Sequence, residues 1–440
     1  MDPGQFSLLD YIFFVIVIVV SSSIGLYYAI KLRKTVTTVD DYLLGGRNMR
    51  LLPVACSLAA TSLTAMASVG IIAEIYAYGT YVWIVSYGVV VMGIFLSWIF
   101  LPIFSELKLT SVFKYFELRF NRRVRLLASG LFLLSGLMYL SVTVYVPALT
   151  FQRVTGINTY VTIIVLSLIC AIYTAIGGLR AVIWTDVVQL VFMFSSIVVI
   201  IFVGVNSANG FDNVIDAARQ GGRLYFVNYK SINARSSIWS HAFSTVFLMI
   251  YQYGLSQTNI QRFMSFPNLR KMRISVWILV AVFSFYNFLI VILGIVLYAN
   301  YESCDPYRAG FIKRIDHILP HFIQEKASLF LGFNGIFIAG IFSASLSTTS
   351  SYLNAMSGII YEDFISPLYP RMKENMAGRI MKTTVFILAV LQIGLVFFIE
   401  RMGSIAQIVS QCMSLNACTM ITLFTLGVFI PKANSKVPFY

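Results

Sequence analysis

Ser343-Ala-Ser-Leu-Ser-Thr-Thr-Ser-Ser351 carries a hydroxyl at seven of nine positions, inside an uncharged run from Ala327 to Tyr361. That run exceeds the roughly 18 residues that mark a membrane-spanning helix. Hydroxyls gain nothing against lipid tails, although Ser and Thr can bond back to their own helix. The polar stretch therefore belongs inside a bundle of helices. On helical spacing Ala344, Ser347, Thr348 and Ser351 share one face. Neutral oxygens suit a hard monovalent cation, whereas a transition metal wants imidazole or thiolate, which this stretch lacks. The competing use of the same hydroxyls is adhesion between helices.

Working outward, further uncharged stretches occur at Tyr11–Ile30, Leu126–Gln152, Val154–Leu179 and Ile274–Tyr301. Hydrophobic residues make up 58% of the 440 and charged residues only 11%, against roughly 25% charged in soluble proteins. So few charges cannot cover a water-soluble surface, and the chain is expected to be an all-α polytopic membrane protein. Spans are expected near 10–32, 52–78, 81–105, 124–152, 156–179, 184–206, 236–262, 274–300, 328–360, 380–400 and 403–430. The formal charge of +14 does not imply nucleic acid. Sorted by alternate sides of these spans, about two thirds of the 32 Lys and Arg fall on one side, while the 18 Asp and Glu divide about evenly. The positive-inside rule makes that side cytoplasmic, with the N-terminus extracellular and the C-terminus cytoplasmic. The first span follows a start without a basic segment or cleavage site, so it reads as a retained anchor.

Behind the first span, ten remain in two groups of five. Five is odd, so the second half starts from the opposite side, as in transporters built from inverted repeats. The resulting divisions are 1–50 (extracellular N-terminus, extra helix and cytoplasmic loop), 51–206 (first repeat), 207–235 (extracellular loop), 236–431 (second repeat) and 432–440 (cytoplasmic tail). The loop at 207–235 carries an apolar stripe at Phe211, Val214, Ile215 and Ala218, the mark of an amphipathic helix.

The first helix of each half looks broken. Ala55–Gly70 is filled with small and hydroxylated residues, and Tyr251–Asn259 sets Gly254 among amides and hydroxyls. Unwound backbone inside a membrane needs ligand, ion or side chain to satisfy it, while close packing through small residues is the alternative. Corresponding breaks in both halves favour a binding site. Ser62, Met66 and Ala67 at the first, and Gln252, Tyr253 and Ser256 at the second, are the candidates for touching solute. No basic residue is expected in the core of a span, so an anionic solute would rely on half-helix N-termini. An enzyme would need a nucleophile–base pair or metal cluster. Of three histidines, only His317 and His321 have i, i+4 spacing, and Pro320 interrupts it.

The chain resembles the sodium:solute symporter family. The resemblance rests on Asp41-Tyr-Leu-Leu-Gly-Gly-Arg47, Tyr173–Asp186, Gln257-x-x-x-Gln261-Arg262, Asp305-Pro-Tyr-Arg-Ala-Gly310, Ser343–Asn354 and Pro431–Lys436. It implies a LeuT-type 5+5 inverted repeat with one extra N-terminal helix. It also implies a sodium site of the carbonyls of Ala60, Leu63 and Ala344 and the hydroxyls of Ser347 and Thr348. A second sodium site is implied at Asp186, Ser350 and Ser351, although Asp186, directly after Thr185, also reads as a helix cap. Sugar-carrying members place acidic and amide side chains where Met66-Ala67 stand, so a hexose would leave buried hydroxyls unpaired. Tyr361-Glu-Asp363 and the serine-rich stretch are closer to the iodide, monocarboxylate and multivitamin branch. The implied function is plasma-membrane import of a small organic solute, such as a monocarboxylate or a biotin- or pantothenate-type vitamin, with sodium as coupling ion and no other cofactor. The implied partners are solute, sodium and the lipid bilayer. A non-transporting sensor or modulatory subunit of the same fold is the alternative. Family members continue into further membrane helices where this sequence ends at Tyr440.

Overall fold

The computed structural model describes residues 6–32, 38–224, 238–326, 332–399 and 405–433, with helices and no strand among them. The first half runs through α1 (Leu8–Leu32), α2 (Val39–Leu44), α3 (Leu51–Ser62), α4 (Ala65–Tyr78) and α5 (Ile84–Phe95). It continues in α6 (Leu101–Glu106), α7 (Val112–Arg119), α8 (Arg122–Thr155) and α9 (Thr159–Ser207). After α10 (Phe211–Gln220) come α11 (Ile238–Ile250), α12 (Gln257–Phe263), α13 (Leu269–Asn300) and α14 (Ile318–Lys326). The chain closes with α15 (Phe333–Ile359), α16 (Glu374–Ile399) and α17 (Ile405–Phe429). Among the described residues, seven helical stretches are long and apolar enough to cross a membrane. Shorter apolar helices at Leu51–Ser62, Ser68–Tyr78, Ala242–Leu255 and Met413–Phe429 occupy other expected positions.

Local sequence starts these helices. Asn121, Asn158 and Asn268 accept from backbone amides of the first turns of α8, α9 and α13, satisfying donors that a helix leaves free. Ser7 and Asp10 cap α1 reciprocally, the logic of a capping box. Asp10 also accepts from Gly335 N at 2.7 Å, tying the start of α1 to the start of α15. Two expected spans join in α9, where Gly178 takes φ 55°, ψ −156°. A Cβ there would stand 2.8 Å from the Tyr42 carbonyl oxygen, so only glycine fits.

The hydroxyl-rich helix is the hub. Within its apolar window α15 is 94% buried, against 22% for α1, which places α15 at the centre and α1 at the lipid-facing edge. Its most extensive packing is against α9, then α8 and α1. On the loop expected outside, α10 packs on α13 and buries Val214 and Ala218 of its expected stripe together with Ala217, while Phe211 is exposed and Ile215 only partly covered.

Both expected breaks exist. α3 stops at Ser62, Leu63 turns out of helix (φ −87°, ψ 77°), and α4 restarts at Ala65. α11 widens into a π-turn at Tyr251–Leu255, and Ser256 is extended (φ −75°, ψ 126°) before α12 begins.

Candidate functional site

The break after α3 lies against the middle of α15. Thr348 Oγ1 donates to the Ala344 carbonyl at 3.0 Å and more weakly to Thr61 O at 3.4 Å. Ser347 Oγ donates to Asp186 Oδ1 at 2.7 Å. Both hydroxyl protons are thus committed, and their oxygens keep lone pairs for a cation. The chemistry of this donor set fits sodium: neutral oxygens, fully buried on α15, beside the backbone opened at Leu63. Asp186 contributes indirectly, because holding the Ser347 proton aims that hydroxyl oxygen and makes it a better acceptor.

Asp186 itself is no helix cap. It lies inside α9, completely buried, and its carboxylate takes side chains from other helices. Ser57 Oγ donates to Oδ2 at 2.5 Å, and Arg262 Nη2 donates to the same oxygen at 2.9 Å. The expectation that no basic residue enters the core also fails here. Arg262 stands near the end of α12 and is 1% exposed. Its Nε donates to Ser57 Oγ (2.7 Å), its Nη1 to Thr258 O (2.7 Å), and its Nη2 also to Ser351 Oγ. Four helices meet at this one guanidinium: α3, α9, α12 and α15.

Of the expected second cation set, Asp186 and Ser351 converge, through Arg262. Ser350 instead donates back to the Ser347 carbonyl at 3.1 Å.

The solute candidates divide. Ser62 donates to Leu58 O, Ser256 bonds Thr258 Oγ1 at 2.8 Å, and the Gln252 carbonyl accepts from Asn259. Tyr253 is fully buried, edge-on to Phe283. The side chains of Met66 and Ala67 lie outside the described ones. Residues not singled out from sequence gather nearby. Asn416 Nδ2 donates to Ser135 Oγ and Tyr251 OH, both at 2.9 Å, and joins α17 and α8 to the second break. The rings of Tyr139 and Tyr352 lie 5.2 Å apart. An amide in the apolar stretch of α17 was the available signal for Asn416. For Arg262 the signal was its place in the Gln257–Arg262 motif.

A second buried pair lies where α15 passes into a π-turn at Ile360–Ile365. Arg125 Nε donates to Asp363 Oδ1 at 2.9 Å, and Arg125 Nη1 to Glu117 Oε2 at 2.5 Å. Thr110, Lys114, Arg122 and Glu362 are among the residues that line a cavity of about 390 Å³ beside it. Among the described residues no group of three His, Cys, Asp or Glu can hold a metal ion.

A family model described as the sodium:solute symporter family matches residues 42–440. Sodium-coupled monocarboxylate transporter 2 of Mus musculus is 33% identical, the match covering 99% of this chain and 70% of that protein. The chain belongs to the sodium:solute symporter family. Sodium-dependent multivitamin transporter of Oryctolagus cuniculus is 34% identical over 98% of this chain and 68% of its own. A solved structure of a Na+-coupled sialic acid symporter, substrate-bound and outward-open, superposes with a TM-score of 0.88 at 24% identity. That superposition covers 98% of this chain and 89% of the other. It establishes the shared fold, the LeuT-type repeat that the family resemblance implied. As a member of the sodium:solute symporter family, the protein is a multi-pass membrane transporter that couples sodium to solute uptake.

Proposed function

We propose that this symporter imports a small organic anion, a monocarboxylate or a carboxylate-bearing vitamin, across the plasma membrane by alternating access. The geometry beside the break carries the reading: Thr348 reaches the Thr61 carbonyl in the last turn of α3, and Ser347, next to it on α15, donates its proton to Asp186 and keeps its oxygen as an acceptor. Ala60, Leu63 and Ala344 supply carbonyls to the same ion. The relatives printed as monocarboxylate and multivitamin transporters support the solute class. Arg262 is spent on Asp186, so the solute carboxylate is held by neutral donors and by the N-terminus of α4, which begins at the break. The partial positive charge of a helix N-terminus favours an anion there.

The inward electrochemical gradient suffices. A sodium ion gains about 1.4 kcal/mol from roughly −60 mV and about 1.4 more from a tenfold gradient. A monovalent anion gives back the electrical part once, leaving about tenfold accumulation when one sodium is coupled. Uptake of labelled lactate, nicotinate, biotin and pantothenate, with sodium and with choline in its place, tests the reading. Sodium-dependent uptake of at least one is expected. Sodium binding without uptake of any would instead favour a sensor of the same fold.

A further inference from the structure

We propose that Arg262 is a tethered cation filling the second cation position, so that its guanidinium and a second sodium exclude one another. The inference rests on the sodium-coupled reading above and concerns how many ions load.

The protons around the guanidinium are all turned away from it. Ser57 gives its proton to Asp186, and Ser351 gives its own to the Ser347 carbonyl at 2.7 Å. Thr61 Oγ1 lies 2.9 Å from the Ser57 carbonyl and 3.1 Å from Ser351 Oγ. What remains pointing inward is a set of acceptors: Asp186 Oδ2, Ser57 Oγ, Ser351 Oγ and the Thr258 carbonyl. A pocket of hydroxyl, carbonyl and carboxylate oxygens is how a protein holds a hard cation. Here all four oxygens receive N–H groups of Arg262. Two of them, on Asp186 and Ser351, belong to the residues a second sodium would need. Both cations cannot use the same oxygens at once, and two positive charges sharing one carboxylate in a buried site repel strongly.

The tether also has a consequence for motion. Arg262 is carried by α12, directly after the second break, while Asp186 and Ser351 are carried by α9 and α15. Whenever α12 moves relative to α9 and α15, the guanidinium leaves and returns with it. Asp186 then holds a fixed internal cation in this arrangement and needs no second ion. The first site keeps its own oxygens, because Ser347 donates to the other carboxylate oxygen, Oδ1.

The test counts sodium bound to the purified full chain in lipid nanodiscs, without solute, by equilibrium binding of labelled sodium. Thermal stabilisation by sodium is the second readout. The wild type is expected to bind one ion per chain with a Hill coefficient near one. Arg262→Gln, which keeps a polar side chain but removes the charge and the guanidinium's fork of donors, is expected to bind two, with the coefficient rising toward two. Arg262→Lys retains a cation and stays at one, as does the neutral pair Arg262→Gln with Asp186→Asn. Two ions on the wild type overturn the proposal, and so does a folded Arg262→Gln that still binds one. If Arg262→Gln does not fold, the wild-type count decides alone. Absence of sodium binding to the wild type overturns the coupling reading itself, an outcome distinct from a wrong ion count.

Discussion

Two buried aspartate–arginine pairs stand at different depths of this molecule, and their surroundings differ. Arg262–Asp186 is sealed, with side chains 1% and 0% exposed, and is ringed by the hydroxyls of Ser57 and Ser351. Arg125–Asp363 is nearly as buried at 9% and 0%, but Arg125 has a second carboxylate in Glu117 and borders an open cavity. A charge that loses its partner at the first pair has neither water nor a spare counter-ion. At the second pair the cavity admits water, and Arg125 keeps a second counter-ion in Glu117. Hydroxyls invite exchange of one cation for another, whereas a third fixed charge locks a pair in place. In the proposed reading the central pair belongs to ion coupling, whereas the peripheral one braces α7 and α8 against the end of α15.

The sharpest way to break this comparison is to remove each arginine. Arg262→Ala leaves Asp186 charged and alone, at a cost of about 3–5 kcal/mol for an uncompensated buried charge. Thermal unfolding of the purified protein is expected to show a large loss of stability, much of it restored when Asp186→Asn is added. Arg125→Ala should cost clearly less, about 1–3 kcal/mol, because the cavity admits water to Asp363. Equal losses from the two variants would erase the distinction.

The fold was largely legible because its signals are local. Long uncharged runs and glycine among hydroxyls each report on a few neighbouring residues, and the helices and both breaks followed from them. The partners of Asp186 were not legible. Arg262 stands at the end of an apolar stretch, where a basic residue ordinarily reaches water. Only the second break, which ends one helix and starts α12 inside the bundle, keeps that end within reach of α9. The pairing spans 76 positions along the chain, and no helical period encodes such a contact. The cap reading of Asp186 failed for a related reason: Gly178, not Thr185, is where α9 breaks.

The central region is sharpened by a smaller change. Ser347→Ala and Thr348→Ala each remove one oxygen from the proposed first sodium site, for about 1–3 kcal/mol of lost ion binding. Sodium half-saturation should therefore rise roughly tenfold to hundredfold, read as sodium-dependent uptake at normal surface abundance. Ser347→Ala is expected to be the more damaging, since it also strips Asp186 Oδ1 of its donor. An unchanged sodium dependence in both variants would remove α15 from the ion path.

The smallest effect concerns the peripheral pair and its third charge. The Lys114 ammonium, 2.7 Å from Glu117 Oε2, holds the Glu117 carboxyl below its ordinary range; partial burial opposes this, and Arg125 adds to the lowering. A carboxylate with a depressed folded-state pKa binds fewer protons folded than unfolded. Its contribution is therefore complete above the ordinary value of about 4.3 and is lost as pH falls through the folded value. Because Glu117 is one-quarter exposed and Lys114 more so, screening keeps the contribution below about 1 kcal/mol. Glu117→Gln should thus lower the unfolding temperature slightly at neutral pH and by less at pH 3 to 4, the difference shrinking further in high salt. A Glu117→Gln penalty that grows on acidification would mean that Glu117 is held as the neutral acid, and Arg125 would then be braced by Asp363 alone.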